Sequence, residues 1–478
     1  MEKTKNLSRK NIDMTEGPLF GKILMFVLPM MAANLLQCAY NAADMMVVGL
    51  SHEANAVGAI GLTGAFINLV LNVFVGFAIG ANVAIARHLG AKNGDMASKV
   101  VHTSLVLALV LGVAGGALGI SITRPVLSLM GAEENLLDLA TTYTYIYFIG
   151  APFLALTNYS IAIFRAKGDT RTPLYVLTAC GLLNVGLNVL FVLGFHMSVE
   201  GVAIATMISN LASAILLIFY LSKGDDDCKF RFKLLRIDKR ALSDVVKIGF
   251  PAGIQGALFS FSNMLIQSSI LRVNNILAPG SSYEPVVEAN AAVSNLNGFI
   301  YTATNSVSQA SVAFTSQNVG AGKYDRVKKV MYNCYALTGI VALVLSFFLL
   351  LFNKPLLALY GISDGEGLAK VAYDAAMVKI KYETLMYFLL SIMEVGCGVI
   401  RGLGKSLTST IVTLIGACLL RVVWILTIFE RFQTLPSIYL SYPVSWFMTG
   451  AIAFVIVFVV LKRKINETAK IESEPQEV

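Results

Sequence analysis

Twelve long apolar stretches follow one another along the chain, and no other feature restricts its fold as strongly. A helix needs about 20 apolar residues to cross the hydrocarbon core of a bilayer, and each stretch is at least that long. The stretches cover approximately residues 20–49, 57–86, 98–122, 137–163, 172–194, 200–222, 245–272, 286–317, 327–352, 376–400, 408–430 and 439–462. The chain is 14 % charged, against about 25 % in soluble domains, which excludes a typical soluble enzyme. The pattern predicts an all-α integral membrane protein with twelve transmembrane helices, called spans 1 to 12 below.

The 37 Lys and Arg residues are distributed unevenly between the two sets of loops. Of these, 29 fall in the tails and in the loops after even-numbered spans, seven lie in or near the opposite loops, and Arg421 lies within a span. Because Lys and Arg accumulate on the cytoplasmic side, we expect both termini in the cytoplasm. The same bias accounts for the formal charge of +8, so that charge gives no reason to expect a nucleic-acid partner.

The segments between the spans suggest a division of the chain. Residues 1–19 are polar and basic and predict a cytoplasmic tail, because the apolar stretch after them is too long for a cleaved signal sequence. The charged segment 223–244 is expected to link a first lobe, 20–222, to a second lobe, 245–462, with a second tail at 463–478.

Cysteine and histidine usage gives no sign of a disulfide framework or a zinc site. The six cysteines are scattered without a CxxC spacing, and the four histidines do not cluster.

Three motifs recur six spans apart. The loop Arg165–Thr172 after span 4 and the loop Arg401–Thr408 after span 10 both fit R-x-x-G-x-[ST]-x-T, at an offset of 236 residues. The other repeated pairs are Gly90 with Gly320, at an offset of 230, and Pro29 with Pro251, at an offset of 222. Since six is even, two homologous six-helix halves would share one topology and be related by a pseudo-two-fold axis along the membrane normal.

Span 1 carries polar side chains at helical spacing: Asn34, Gln37, Asn41 and Asp44. They share one helical face about 15 Å long, which lipid cannot solvate. An intramembrane carboxylate suggests function by default, so Asp44 is the candidate cation-coupling residue. The alternative is that Asp44 caps the helix or lies at the outer interface, close to Gly49.

Span 5 carries two amides one helical turn apart, Asn184 and Asn188. Together with Asn41 they would complete oxygen ligation of a cation beside Asp44, which makes Asp44 the candidate Na⁺ ligand. The competing interpretation is that these amides form ordinary interhelical hydrogen bonds.

Polar faces on spans 2, 7 and 8 predict a central aqueous cavity. With those on span 1, the candidate substrate-binding residues are Asn34, Gln37, Tyr40, Asn72, Gln255, Phe259, Asn263 and Asn305. For any single amide, an interhelical hydrogen bond is again the competing interpretation.

Glu394 in span 10 and Arg421 in span 11 are the other ionisable residues well inside spans. A salt bridge between neighbouring helices would explain both. The functional alternative gives Glu394 a role in proton or cation coupling and Arg421 a role in substrate binding.

With these residues in place, the chain resembles the multidrug and toxic compound extrusion (MATE) transporters over approximately residues 15–462. The most specific matches are the motif Tyr40–Gly49, the loop Phe164–Pro173 and the motif Ile400–Lys405. The resemblance implies two six-helix lobes around a central cleft, and export of organic cations or amphiphiles in exchange for H⁺ or Na⁺. It also implies that the acid of span 1, which matches Asp44, takes part in cation coupling.

The chain departs from the family at two acidic positions. Many relatives have an aspartate where Asn188 stands, and some have a glutamate in span 7 near the position of Phe259. This chain therefore lacks the second carboxylate of a proton site in the first lobe, and coupling through the second lobe would have to use Glu394.

We therefore expect a monomeric drug or cation antiporter of the bacterial plasma membrane that works by alternating access, with H⁺ or Na⁺ as coupling ion and no cofactor. A flippase for a lipid-linked or anionic amphiphile is the first alternative, but it would need several cationic residues in its cavity. An integral-membrane enzyme is the second, and it would need a reactive cluster that Asp44 and Glu394, in opposite halves, do not form.

Overall fold

A computed structural model of the chain describes residues 11–49, 56–129, 134–279 and 283–473. These residues form helices and short connections, with no strand among them. The α-helices are α1 Leu19–Gly49, α2 Ala56–Gly90, α3 Gly94–Leu129, α4 Glu134–Ile149, α5 Ala151–Ala166, α6 Arg171–Val189, α7 Val199–Lys223, α8 Lys239–Leu277, α9 Pro285–Gly320, α10 Tyr324–Leu351, α11 Asn353–Ala358, α12 Leu368–Tyr382, α13 Tyr387–Gly402, α14 Ser406–Thr413, α15 Leu420–Trp424 and α16 Leu435–Ser473. Short π-helical segments lie at Leu190–Gly194, Leu414–Leu419 and Ile425–Phe429, and 3₁₀ turns at Phe232–Leu234 and Thr384–Met386.

Each of the twelve expected spans coincides with one helix or with one interrupted helix. Helix is the expected outcome, because a backbone in lipid must satisfy its polar groups within the segment itself. Span 4 is the bent pair α4 and α5, with an angle of 51° at Gly150 and a proline at the start of α5. Span 10 is α12 and α13, which the 3₁₀ turn separates, and span 11 is α14 and α15 with their two π-helical segments.

The helices α8 and α9 are the most polar of the long helices. In the part of the chain that the structure describes, nine helices are long and apolar enough to cross a membrane, and the bent pair makes a tenth. The helices α8 and α9 have 39 and 36 residues but are not among them. Their amides and hydroxyls make them unsuited to lipid, so their polar faces must contact protein or water.

The chain forms two compact units. The first contains Met1–Ala257 and Ser316–Gly322, and the second contains Leu258–Thr315 and Lys323–Val478. The end of the first lobe at residue 222 and the start of the second at residue 245 remain predictions. The core of the first unit is built around large buried side chains: Phe74, Phe77, Phe148, Tyr159 and Phe164.

In the first unit, the start of α8 packs closely on α2 through small residues. A methyl group added at Gly76 would collide with the backbone of Gly253, and one added at Gly249 would lie 2.7 Å from Cα of Phe77. Small residues allow such backbone contact between membrane helices.

The last turn of α9 also belongs to the first unit, where it meets the last turn of α2. A methyl group at Gly90 would collide with the carbonyl of Gln317, and one at Gly320 with the carbonyl of Arg87. The repeat offset of 230 pairs Arg87 with Gln317 and Gly90 with Gly320. The contact of Gly90 with Gln317 is therefore equivalent to the contact of Gly320 with Arg87. A two-fold relation between repeats produces such a self-complementary contact.

The two repeated loops share a glycine in the left-handed region, Gly168 with φ of +90° and Gly404 with φ of +80°. A segment before α1 packs on the first of these loops. The N–H of Ile12 donates to the carbonyl of Gly168 at 3.1 Å, Met14 is fully buried, and Asn318 donates to the carbonyl of Met14 at 3.0 Å. Part of the expected N-terminal tail is therefore packed against the helices.

Candidate functional site

Asp44 lies against the two predicted amides of α6. The Nδ2 group of Asn188 donates to Oδ1 of Asp44 at 2.5 Å and lies 3.4 Å from Oδ1 of Asn184. The amide of Asn184 in turn donates to Thr206 on α7 at 3.4 Å. The structure therefore brings together Asp44, Asn184 and Asn188, three of the four residues predicted to couple cations in the first half.

Among the described residues, Asp44 has polar neighbours and no ion-pair partner. Its hydrogen-bond partner is the neutral amide of Asn188, which is completely buried. The other amide atom of Asn188, Oδ1, is buried without a hydrogen-bond partner. A carboxylate next to amide oxygens is a donor set suited to a hard cation or a proton.

The remaining polar residues of α1 divide between two environments. Asn34 accepts a hydrogen bond from Arg165 at 3.4 Å, and the hydroxyl of Tyr40 donates to the carbonyl of Thr178 at 3.4 Å. Gln37 and Asn41 are exposed. Among the described residues, no hydrogen bond joins Asn41 to Asp44, Asn184 or Asn188, although the sequence places Asn41 one turn from Asp44.

Two more predicted residues lie in the first unit. Gln255 is buried, and its Oε1 atom has no hydrogen-bond partner. Asn72 is half-buried and packs on Gly256, where an added methyl group would lie 2.8 Å from its Cβ.

The second unit holds the other predicted residues. Phe259 and Asn305 are half-buried, and Asn305 connects Tyr301 to Gln309 through hydrogen bonds of 3.4 and 2.7 Å. The side chain of Asn263 lies outside the part of the chain that the structure describes.

Glu394 and Arg421 form no ion pair with each other among the described residues, so the salt-bridge explanation is wrong. Arg421 donates through Nε to Ser445 at 2.9 Å and lies over the ring of Tyr442, 4.4 Å from its centroid. The charge that acts on Glu394 is that of Arg401. The two side chains have different neighbours, which sequence spacing could not reveal.

A buried ion pair that the sequence analysis missed lies near Arg421. Lys379 and Glu383 are 3 % and 5 % exposed, and their charged atoms are 3.8 Å apart. The ammonium group of Lys379 also donates to the carbonyl and side chain of Asn290 and to Ser294. Lys379 is one of the seven Lys and Arg residues that the sequence places in or near the loops opposite the expected cytoplasmic side. The i, i+4 spacing of a lysine and a glutamate at the start of span 10 was the available signal.

No group of three or more His, Cys, Asp or Glu side chains in the described ranges is arranged to hold a metal ion.

The duplicated helices and their intramembrane polar sites define a multi-pass membrane transporter built from two related halves. The chain belongs to the MatE family, whose model matches residues 29–190 and 251–427. These two matches begin at Pro29 and Pro251, the prolines that the sequence repeat pairs.

Several known proteins are similar to the chain along most of its length. The "Probable multidrug resistance protein YoeA" of Bacillus subtilis is 27 % identical over 431 residues, which are 88 % of this chain and 90 % of that protein. A solved MOP superfamily transporter from Pyrococcus furiosus has a TM-score of 0.87 and 20 % identity, over 95 % of this chain and 98 % of the other.

A second solved structure, the outward-facing conformation of a multidrug resistance MATE family transporter, has a TM-score of 0.86 at 20 % identity and covers 96 % of this chain and 99 % of that one. The solved MATE structures have twelve helices in two lobes, which confirms the predicted fold class. Members of this family are transporters, so the prediction that the protein is not an enzyme is also confirmed.

Proposed function

We propose that this protein exports amphiphilic organic cations across the bacterial plasma membrane in exchange for H⁺ or Na⁺. The observation that carries the proposal is the carboxylate of Asp44, held inside a membrane helix by the neutral amide of Asn188 at 2.5 Å. A carboxylate that has no ion-pair partner in the described ranges gains from binding a cation, and Oδ1 of Asn188, which has no hydrogen-bond partner in those ranges, offers a further oxygen close by. The name of the Bacillus subtilis relative supports drugs as the substrate class.

The coupling follows from a difference in affinity between two states. An inward-open state binds the organic cation, and H⁺ or Na⁺ then enters from outside and binds at Asp44. Binding at Asp44 favours the conformation that releases the substrate outside, because a ligand shifts an equilibrium by its differential affinity for the two states. In this scheme both termini are cytoplasmic, the protein acts as a monomer, and no cofactor takes part.

Flat and amide-bearing side chains provide the substrate contacts in this proposal: Asn34, Gln37, Tyr40, Asn72, Gln255, Phe259, Asn263 and Asn305. Glu394 is the proposed second coupling residue. The backbone carbonyl of Glu394 on α13 accepts a hydrogen bond from the hydroxyl of Ser308 on α9 at 2.9 Å. In this proposal, that contact connects the two helices at the second coupling residue.

A flippase for an anionic amphiphile is the second candidate, and the buried cation Lys379 favours it. The sequence alone offers one intramembrane cation, Arg421, and Lys379 makes a second. However, Lys379 has Glu383 as counter-charge and donates to Asn290 and Ser294, so it is not free for a substrate. The export of organic cations therefore remains the better supported function.

The test is efflux of a fluorescent organic cation from preloaded proteoliposomes, with wild type compared with Asp44→Asn. We expect the variant to lose gradient-driven efflux while it remains folded. Asp138→Asn is the matched control, because Asp138 is an exposed carboxylate of the same unit, paired with Arg124 at 3.3 Å. Equal efflux by Asp44→Asn and wild type would contradict the proposal.

The same preparation identifies the coupling ion. Efflux is driven once by a pH gradient at constant Na⁺ and once by a Na⁺ gradient at constant pH. Efflux that neither gradient drives in the wild type would move the assignment to the flippase.

A further inference from the structure

The buried charges of the second unit do not cancel one another. Lys379, Glu383 and Arg421 carry two positive charges and one negative charge, and all three are at most 5 % exposed. Lys379 forms an ion pair with Glu383 at 3.8 Å. An ammonium group has three N–H donors, and those of Lys379 have the acceptors of Asn290 and Ser294. All three N–H donors of Lys379 are therefore in use. The second positive charge of this group is that of Arg421.

Arg421 is almost completely buried, yet most of its donors are unused. A guanidinium group has five N–H donors, and in the described part of the chain only Nε of Arg421 has an acceptor, the hydroxyl of Ser445. Its two terminal NH₂ groups have no partner there, and no carboxylate forms an ion pair with it. A buried charge that has no direct ion pair is destabilising, and an anionic partner would offset that cost.

The surroundings hold the guanidinium in a fixed position. Its carbon lies 4.4 Å from the ring centroid of Tyr442 and 5.8 Å from that of Trp446. Tyr387 packs edge-on against Trp446, with ring centroids 5.4 Å apart. Arginine stacked on rings presents its terminal NH₂ groups as a planar fork, which matches a carboxylate or phosphate in two parallel hydrogen bonds.

The backbone around Arg421 is also unusual. Its short helix α15 lies between two π-helical segments, Leu414–Leu419 and Ile425–Phe429. A π-helical turn is uncommon and is frequent at functional sites, because it turns a side chain away from its regular helical position.

The terminal NH₂ groups of Arg421 have no partner in the described part of the chain, its guanidinium lies on aromatic rings, and π-helical segments flank it. We propose that Arg421 binds an oxyanion, the carboxylate or phosphate of an amphiphilic ligand. Tyr442 and Trp446 would contact the flat part of that ligand. This inference rests on the proposed export function and narrows its substrate class to amphiphiles that carry an acidic group beside their positive charge. The Asp44 site then binds the coupling cation, and the Arg421 site recognises the acidic group of the substrate.

The experiment measures binding of two matched dyes by fluorescence polarisation to the full-length protein in phosphatidylcholine nanodiscs. One dye is a rhodamine with a free benzoate carboxyl group, and the other is its methyl ester, which has the same rings and no carboxylate. We expect Arg421→Gln to weaken binding of the acid at least tenfold and binding of the ester less than twofold. Arg421→Lys keeps the charge but not the fork, and should recover only part of the loss.

Arg272→Gln is the control, because Arg272 is an exposed arginine of the same unit that is already paired with Glu430 at 2.5 Å. It should leave the ratio of the two affinities unchanged. Equal losses for acid and ester in Arg421→Gln, or no loss in either, would overturn the oxyanion site while leaving the proposed export function intact. Failure of the wild type to bind either dye would count against both. If Arg421→Gln does not fold, Arg421→Lys and Ser445→Ala give the same comparison.

The source of the oxyanion is separated by adding phosphatidylglycerol to the nanodiscs. Competition by this lipid in wild type but not in Arg421→Gln would identify a lipid phosphate as the ligand. No competition, together with the preference for the acid dye, would identify the acidic group of the substrate.

Discussion

In the first unit the carboxylate of Asp44 lies among amides, whereas in the second unit the carboxylate of Glu383 lies with two cations, Lys379 and Arg421. The two sites belong to homologous halves, which share their loops and their packing glycines. Asp44 lies within α1, whereas Glu383 directly follows the last residue of α12. The duplicated fold therefore sets where a polar site can lie, and individual side chains set its charge. A site with one negative charge suits a cation, and a site with a net positive charge suits an anion.

The largest effect should come from breaking the charge balance of the second unit. Glu383→Gln leaves two buried cations with no carboxylate, and we expect the free energy of unfolding to fall by about 3–5 kcal/mol. Thermal unfolding of the purified protein measures the loss. The double variant Lys379→Met, Glu383→Gln should recover most of it, and a double variant as unstable as the single one would contradict the ion pair.

Asp44→Asn provides the contrast in the first unit. Because Asp44 leaves no ion-pair partner behind among the residues that the structure describes, the same measurement should show a change of less than about 1 kcal/mol. A loss as large as that of Glu383→Gln would mean that the two sites do not differ as described.

Where the halves are equivalent, substitutions should have equivalent effects. Gly90→Ala and Gly320→Ala each place a methyl group against the backbone of the facing helix, and each should destabilise by about 1–3 kcal/mol. Gly186→Ala is the control, because nothing lies within 4 Å of its added methyl group. Strongly unequal melting temperatures of the two variants would contradict the equivalence of the two glycines in this contact.

A smaller effect is expected from the amide beside Asp44. Asn188→Ala removes the hydrogen bond that Asp44 receives in the described part of the chain, and a hydrogen bond to a charged group contributes about 1.5–3 kcal/mol. The less stabilised carboxylate should then bind a proton more tightly, so half-maximal exchange driven by a pH gradient should need an H⁺ concentration at least about tenfold lower. Asn158→Ala, which removes an amide bonded within its own helix at 3.0 Å, should leave this concentration unchanged.

The smallest effect concerns a carboxylate outside the spans. Hydrogen bonds from the backbone N–H groups of Ala241, above all, and Arg240 hold the pKa of Asp238 below its ordinary value of 3.8. The stabilisation of the start of α8 is therefore complete above that pH and is lost as the pH falls through the lowered pKa. Asp238→Asn should remove this part of the acid dependence of thermal unfolding, and an unchanged acid dependence would contradict the assignment.

The span positions and the duplication were predictable from local patterns. Apolar length places most of the spans as helices, because a helix satisfies the polar groups of a backbone in lipid within the segment itself. The helices α8 and α9 are less apolar than the others. The same periodicity led to Asp44 with Asn184 and Asn188, since residues three and four apart share one helical face. Periodicity failed for Asn41, which is exposed. The salt bridge between Glu394 and Arg421 was expected from the cost of unpaired buried charges, and it is absent among the described residues.

The sequence by itself determined the helices, the repeat and the presence of a carboxylate within span 1, because all three follow from hydrophobicity and spacing along one segment. Only the tertiary structure decided the partners of each charge. It placed Lys379 beside Glu383 in a buried pair and left Arg421 on Tyr442 and Ser445. Such contacts depend on which faces of separate helices meet, and this is fixed by packing between segments distant in the chain.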